Sequence, residues 1–254
     1  MRYLLFLFLF LPIFSFSQIE EKLIGNVPIQ NYSPKEYKGE PQVNRVAIDS
    51  RGVLYFAHNS GLSIFDGTEW QSISVDGLGV EFIYITPKDE IYLGSEGIFG
   101  ELLTYENGSF YFKSLSKEIE NKFDIETIFS ITSKNGKVVF SDVNNLYVVD
   151  QNGKIDVVTT GDIILETYLV NDMLFVNRKE EGLFLLNDNF ELSSLPGNEV
   201  LFGKKINQVL SYGQDSVLIV ESKKLYVSPV DQIDLIPIDL STDGAFNYST
   251  SFKL

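Results

Sequence analysis

A short β-rich phrase that returns five times constrains the fold of this chain more than any other feature of its sequence. The five copies are VLYFA at 53–57, EIYLG at 90–94, KVVFS at 137–141, MLFVN at 173–177 and SVLIV at 216–220. Their starts lie 36 to 47 residues apart. An irregular spacing in this range indicates a solenoid or a propeller with loop insertions, in which each repeat is one supersecondary unit.

The segments around the phrase repeat with it. Around the first copy we predict four strands, at 44–49, 53–58, 62–66 and 69–74. The predicted strands are rich in β-branched and aromatic residues, and the turns between them carry Gly, Asn, Asp and Ser. Four antiparallel strands per repeat are typical of a propeller blade.

We therefore predict an all-β fold, a β-propeller of four-stranded antiparallel blades, with about five blades and the first strand of a sixth. Residues 44–254 form the propeller, after an N-terminal segment at 18–43. The blades are predicted near 44–75, 81–115, 127–159, 164–195 and 205–238, with a partial blade at 245–254. A propeller closes by pairing its first and last blades, so we expect an incomplete ring whose natural chain continues.

The first 17 residues have the pattern of a signal peptide. Met1 and Arg2 give a positive start, and residues 3–14 form an apolar run of about 12 residues, too short to cross a bilayer comfortably. Ser15 and Ser17 supply the small residues for cleavage before Gln18. A retained anchor is the alternative, but no basic flank follows the run. We predict an exported, periplasmic protein.

Composition excludes several classes of function. The formal net charge of −15 repels phosphate backbones, so nucleic acid is not expected as a partner. The chain has no cysteine and one histidine, which leaves no disulfide, thiolate metal site or two-histidine metal site. We predict no cofactor, no metal and no catalytic residue.

Two residues are candidates for ligand binding. His58, the single histidine, would have to serve any Ser-His-Asp triad, although a polar strand end is the favoured interpretation. Trp70, on the outer strand of the first blade, could stack on a sugar ring, although packing in the core is the default. Other aromatic residues are expected to fill the wedges between blades: Tyr55, Tyr92, Phe140, Phe175 and Tyr226.

Two stretches carry a family resemblance. The first comprises NYSPKEYKG at 31–39, DSRGVLYFAHNSGL at 49–62 and FDGTEW at 65–70, and the second is IYLGSEGIFGEL at 91–102. They resemble the opening of the two-component-regulator propeller sensors of Bacteroidetes-type bacteria, especially those with a triple-tyrosine domain. The resemblance is specific over residues 28–105. The position of His58 departs from it, because the family usually has Asn or another small polar residue there.

The resemblance implies a periplasmic sensor propeller of seven blades. In full-length relatives it precedes a triple-tyrosine β-sandwich, one membrane helix and a cytoplasmic output, either a histidine kinase or a helix-turn-helix domain. Here we expect a non-catalytic recognition module for an extracellular ligand such as an oligosaccharide. A membrane tether is expected only if the chain continues, and a homodimer is a further expectation. Two alternatives stay open: a periplasmic propeller enzyme, lyase or hydrolase, and a scaffold that docks another envelope protein.

Overall fold

A computed structural model describes residues 29–213, 215–229 and 235–238 of the chain. The predicted signal peptide at 1–17 and the predicted strand at 245–254 lie outside these residues. Ser33–Leu254 forms one structural unit, and the description below concerns its described part.

Among the described residues, twenty strands form five sheets, each with four antiparallel strands that neighbour one another in chain order. Blade 1 contains β1 (Val43–Ile48), β2 (Leu54–His58), β3 (Gly61–Phe65) and β4 (Trp70–Ile73), and blade 2 contains β5 (Phe82–Ile85), β6 (Ile91–Gly94), β7 (Phe99–Thr104) and β8 (Phe110–Ser114). Blade 3 contains β9 (Ser130–Lys134), β10 (Lys137–Ser141), β11 (Asn145–Val149) and β12 (Ile155–Thr159), and blade 4 contains β13 (Ile164–Val170), β14 (Met173–Arg178), β15 (Gly182–Leu186) and β16 (Leu192–Ser194). Blade 5 contains β17 (Ile206–Tyr212), β18 (Ser216–Glu221), β19 (Leu225–Pro229) and β20 (Ile236–Ile238).

The first strands of the blades lie side by side on the inner side of the array. β1 contacts β5, β5 contacts β9, β9 contacts β13 and β13 contacts β17. This succession of radially stacked four-stranded sheets is a β-propeller, as the repeat predicts. Across the part of the chain that the structure describes, the five blades are not closed into a ring.

Apolar side chains from facing blades fill the wedges between them. Tyr55, Phe140 and Phe175 are fully buried and Tyr226 is 6% exposed, so these four residues pack as expected. Each belongs to a cluster that joins two neighbouring blades. Tyr92 differs, because it is only half-buried and its ring borders an open cleft.

Several tight turns between strands are stabilised by the same pattern of side-chain to backbone hydrogen bonds. In four of them the first side chain accepts hydrogen bonds from the backbone N–H groups two and four residues later: Asp49, Thr86, Asp150 and Asn187. The fourth residue of each turn has a positive φ, 85° at Gly52 and 83° at Gly153. Local side-chain bonding therefore fixes where these hairpins reverse, independently of the core.

The segment before β1 folds over the face of blade 1 that points away from blade 2. It contains a four-residue helix, α1 (Pro34–Tyr37), whose Tyr37 side chain is buried. The Tyr37 ring stacks on Phe56 with ring centroids 5.9 Å apart, and its hydroxyl donates to the Glu40 carbonyl at 2.7 Å. We call residues 33–42 the N-terminal latch. It supplies blade 1 with an apolar partner on that face.

Candidate functional site

A recess opens where the inner strands of blades 1, 2 and 3 begin. It has a volume of about 380 Å³. We call it the inner recess and define it by its lining residues: Gln42, Val43, Asn44, Arg45, Glu81, Phe82, Thr127, Ile128 and Phe129. Backbone from three blades holds these side chains, so the recess depends on the assembled array.

A β-bulge shapes the start of β1. The register between β1 and β2 shifts between Val43 and Arg45, which leaves Asn44 as the additional residue. Comparable shifts occur at the start of β13 and of β17. Because a bulge bends its strand and redirects the next side chain, it turns the beginning of β1 toward the recess.

Arg45 is the positively charged side chain of the inner recess. Its guanidinium carbon lies 5.0 Å from the centroid of the Phe82 ring, a cation–π contact between blades 1 and 2. The side chain remains exposed. Its guanidinium therefore keeps N–H groups that can reach a bound molecule.

Glu166 of blade 4 lies within electrostatic reach of Arg45. Burial raises the pKa of the Glu166 carboxyl, and the charge of Arg45 partly opposes that rise. Although much of Glu166 is reached by water, protein surrounds its carboxyl closely enough to disfavour its charge. Blades 1 and 4 thus bring opposite charges toward one another on the inner side of the array.

Asn44 ties the recess to the neighbouring blade. Its side-chain amide donates to the carbonyl of Val80 at 3.0 Å and to the amide oxygen of Asn59 at 3.1 Å. Gln42 in turn donates to the amide oxygen of Asn44 at 3.4 Å. Glu81 and Thr127 are exposed beside them. The recess therefore offers donors and acceptors next to aromatic surface, an arrangement suited to a polyhydroxylated ligand.

The structure places His58, the first sequence candidate, inside blade 1. It is 2% exposed, and its pKa is lowered by burial against an opposing effect of Glu40. The ring Nδ1 accepts from the Ser60 backbone N–H at 3.3 Å, so the neutral ring carries its proton on Nε2, 2.9 Å from the Ser63 hydroxyl. The latch covers it closely, because a Cβ added at Gly39 would lie 2.5 Å from Nε2.

Trp70, the second candidate, packs in an aromatic cluster on the outer part of blade 1. Its ring centroid lies 4.8 Å from that of Phe65, 5.3 Å from that of Phe56 and 6.0 Å from that of Tyr37. It is half-buried. Neither His58 nor Trp70 belongs to the inner recess, and ligand binding by these two residues stays a prediction.

Sequence reasoning did not single out Arg45, Asn44 or Glu166. A signal was present, because the first strands of blades 1, 4 and 5 begin with polar residues that interrupt the apolar pattern, at 44–45, 166–167 and 207–208. These positions coincide with the three bulges. Broken alternation at the start of an inner strand thus indicates a bulge, and only the bulge of β1 lies in the recess.

The class defined by these observations is a β-propeller module with a polar recess on its inner side. No protein-family model matches the chain, and no curated protein matches it. In the part of the chain that the structure covers, no helix is long and apolar enough to cross a membrane.

Solved structures share the fold at low sequence identity. One is the extracellular domain of a B. thetaiotaomicron protein described as a one-component system, with a TM-score of 0.54, 16% identity, and coverage of 77% of this chain and 27% of that one. Virginiamycin B lyase of Staphylococcus aureus has a TM-score of 0.53, 13% identity, and coverage of 79% and 70%. The WD40 domain of Neurospora crassa Pan2 has a TM-score of 0.51, 12% identity, and coverage of 81% and 68%.

These likenesses establish the fold. The chain spans about a quarter of the length of the extracellular domain that it matches. An extracellular domain of a one-component system and an enzyme both occur among the similar structures, so the fold alone does not separate recognition from catalysis.

Proposed function

We propose that this chain is the extracytoplasmic recognition propeller of a two-component-type signalling protein, and that the inner recess binds its ligand without chemical turnover. The observation that carries the proposal is the convergence of Arg45, Glu81 and the amide side chains at one recess built by three blades. A rigid stack of blades can hold such groups in fixed positions while a ligand enters from solvent.

The chemistry of the recess favours a neutral oligosaccharide. Sugar hydroxyls can accept from Arg45 and Gln42 and donate to Glu81, while carbon faces of the sugar pack on Phe129. A polyanionic glycan is disfavoured because the whole chain carries a net charge of −15.

Two further observations support a role in sensing. The fold likeness includes the extracellular domain of a bacterial signalling protein. The stretches at 31–39, 49–62, 65–70 and 91–102 resemble regulators with a triple-tyrosine domain, and residues 1–17 have the pattern of an export signal. Membership of that regulator family and a periplasmic location are parts of this proposal. Membrane attachment and an intracellular output belong to it only for a longer form of the chain.

Catalysis is not part of the proposal. Groups of three or more His, Asp or Glu side chains that could hold a metal do not occur among the described residues. His58, the one histidine, is neutral and covered by the latch. The chain therefore supplies a recess for binding, and we assign no acid or base to it.

Isothermal titration of the exported protein against a panel of neutral oligosaccharides tests the proposal. We expect at least one oligosaccharide to bind, and Arg45→Met to weaken its affinity about tenfold or more, because hydrogen bonds from a charged donor are lost. Lys122→Met, which removes an exposed charge from a residue that does not line the recess, is the matched control and should leave the affinity unchanged.

Three outcomes would refute the proposal. The first is no binding across the panel. The second is equal affinity of the Arg45→Met and wild-type proteins for the bound glycan. The third is a mass change of the glycan after incubation with the protein, which would show turnover and favour the lyase or hydrolase alternative. Recovery of an envelope protein without any glycan response would favour the docking scaffold.

A further inference from the structure

A second opening, the side cleft, lies between blades 2 and 3 on the side of the turns at 86–90 and 150–153. Its volume is about 500 Å³. Leu115, Val138 and Val149 give it apolar lining, while Tyr92, Glu101 and Lys113 reach it from blade 2. No residue of the inner recess lines it, so the two openings are separate sites.

The polar wall of the side cleft is a cross-strand row on one face of blade 2. Tyr84 pairs with Tyr92, Tyr92 with Glu101, and Glu101 with Lys113, in the registers of β5 to β8. Directly paired residues of antiparallel strands point to the same face, with Cβ atoms about 5 Å apart. A phenol, a carboxylate and an ammonium therefore stand in sequence along the wall.

The inner end of the row is closed by packing, and the outer end is open. The Tyr84 hydroxyl lies 2.7 Å from the Ser133 hydroxyl of blade 3, and the Tyr92 ring meets Phe140 edge-on with centroids 5.9 Å apart. Beyond this point blade 3 presents Gly136, which has no side chain, Lys137 and the turn at 150–153. The facing blades therefore leave space beside Glu101 instead of filling it.

The polar groups of the three side chains in the open part of the row have no hydrogen-bond or ion-pair partner among the described residues. Across the described residues, Tyr92, Glu101 and Lys113 form no side-chain hydrogen bond or ion pair within bonding distance. Burial is the main effect that raises the pKa of the Glu101 carboxyl, and the charge of Glu90 adds to it while Lys113 opposes it. Burial also raises the pKa of Tyr92 to about 12. Tyr92 and Glu101 are half-buried, and half-buried polar groups without a hydrogen-bond partner gain most from a bound ligand that supplies one, while Lys113 is exposed at the outer end of the row.

We propose that the side cleft binds a small zwitterion, a free amino acid or a dipeptide, with its ammonium between the Tyr92 ring and Glu101 and its carboxylate on Lys113. An aromatic face and a carboxylate both attract an ammonium group. The adjacent ammonium of Lys113 attracts a carboxylate, and the apolar lining contacts the ligand's side chain. This site is additional to the inner recess and does not depend on the glycan proposal.

Calorimetric titration of the whole protein with L-alanyl-L-alanine tests the assignment. We expect binding that Glu101→Gln weakens about tenfold or more, since a charge-assisted interaction is replaced by a neutral one. N-acetyl-L-alanyl-L-alanine, which lacks the ammonium, should bind as weakly to the wild type as the dipeptide binds to Glu101→Gln. Lys113→Met should weaken binding of the dipeptide. This variant should bind the dipeptide and the C-terminal amide of the dipeptide with nearly equal affinity.

Glu106→Gln is the matched control, because Glu106 is exposed in the turn between β7 and β8 of the same blade and does not line the cleft. Its affinity for the dipeptide should equal that of the wild type. Binding should also weaken as pH falls through the raised pKa of Glu101, and Glu101→Gln should flatten that dependence. The proposal is overturned if neither dipeptides nor amino acids bind, if Glu101→Gln behaves like Glu106→Gln, or if acetylation has no effect.

Discussion

Asp142→Asn should destabilise the protein strongly, because both oxygens of this buried carboxylate accept hydrogen bonds. Asp142 is 0% exposed. Its Oδ1 accepts from the backbone N–H groups of Asn144 and Asn145 at 2.8 and 2.7 Å, and its Oδ2 accepts from the Tyr147 hydroxyl at 2.7 Å and the Glu126 N–H at 3.1 Å. Asn can reproduce the first pair of bonds, but its amide nitrogen cannot accept the second pair.

The expected loss of unfolding free energy follows from the two hydrogen bonds that Asn cannot accept. The Glu126 N–H would face another donor, and the Tyr147 hydroxyl would lose its charged acceptor. An unsatisfied buried group costs about 1–3 kcal/mol, and a bond to a charged group contributes about 1.5–3 kcal/mol, so we expect about 2–4 kcal/mol after partial reorientation of the hydroxyl. Tyr147→Phe removes the bond that the hydroxyl donates to Asp142 and the bond that it accepts from the Asn145 amide at 3.2 Å, and it should cost about 1.5–3 kcal/mol.

Asp150→Asn provides the matched control within the same blade. Asp150 accepts both of its backbone hydrogen bonds at Oδ1, at 2.8 and 2.9 Å, and Asn retains that acceptor. We expect it to change the free energy of unfolding by less than about 0.5 kcal/mol. Urea unfolding followed by fluorescence measures all three variants. Equal effects of Asp142→Asn and Asp150→Asn would refute the hydrogen-bond reasoning.

Three further predictions concern the N-terminal latch, the histidine of blade 1 that it covers, and export. Tyr37→Ala should cost about 3 kcal/mol in unfolding free energy, as for other buried aromatic truncations, and Tyr37→Phe about 1 kcal/mol; similar values for both would contradict the stacking on Phe56. Because the pKa of His58 is lowered, the folded protein binds fewer protons than the unfolded chain, so stability should fall as pH drops below about 6.5. Glu101 and Glu166 act in the opposite sense, so the test is the difference in unfolding free energy between wild type and His58→Asn, which should vary with pH below about 6.5 and become constant above it. N-terminal sequencing of the exported protein should begin at Gln18, and an intact residue 1 would refute cleavage.

The blades were predictable because their causes are local. Strand alternation and turn chemistry act over a few residues, so the repeated phrase identified the second strand of every blade. The side chains of Asp49 and Asp150 bond to their own turns, and Gly52 and Gly153 supply the positive φ. Such signals need no knowledge of distant contacts.

The candidate sites were not predictable in the same way. Arg45 and Glu166 lie in different blades and far apart in the sequence, yet the pKa of Glu166 responds to the charge of Arg45. Tyr92 has the same position in its repeat as Tyr55, and both were expected in the core. Tyr55 is fully buried against blade 2, whereas Tyr92 borders a cleft because blade 3 leaves space opposite it.

For His58, too, the local sequence predicted the position in the strand, and the tertiary structure decided the burial. The sequence placed it correctly at the end of a strand and next to a turn. Its burial depends on the latch, because Tyr37 and Gly39 close over it from outside the blade. A residue that looks accessible in the repeat is therefore covered by a segment that the repeat does not include.

By itself the sequence determined the four-stranded repeat, the all-β class and the acidic, cysteine-free character of the chain, because these depend on residue pattern and composition. Only the tertiary structure decided which polar side chains meet at the inner recess and the side cleft. Those sites arise where blades face one another, and the space between two blades depends on the register and packing of both. Hydrophobic alternation is shared by every blade, whereas an unfilled gap is a property of one particular pair.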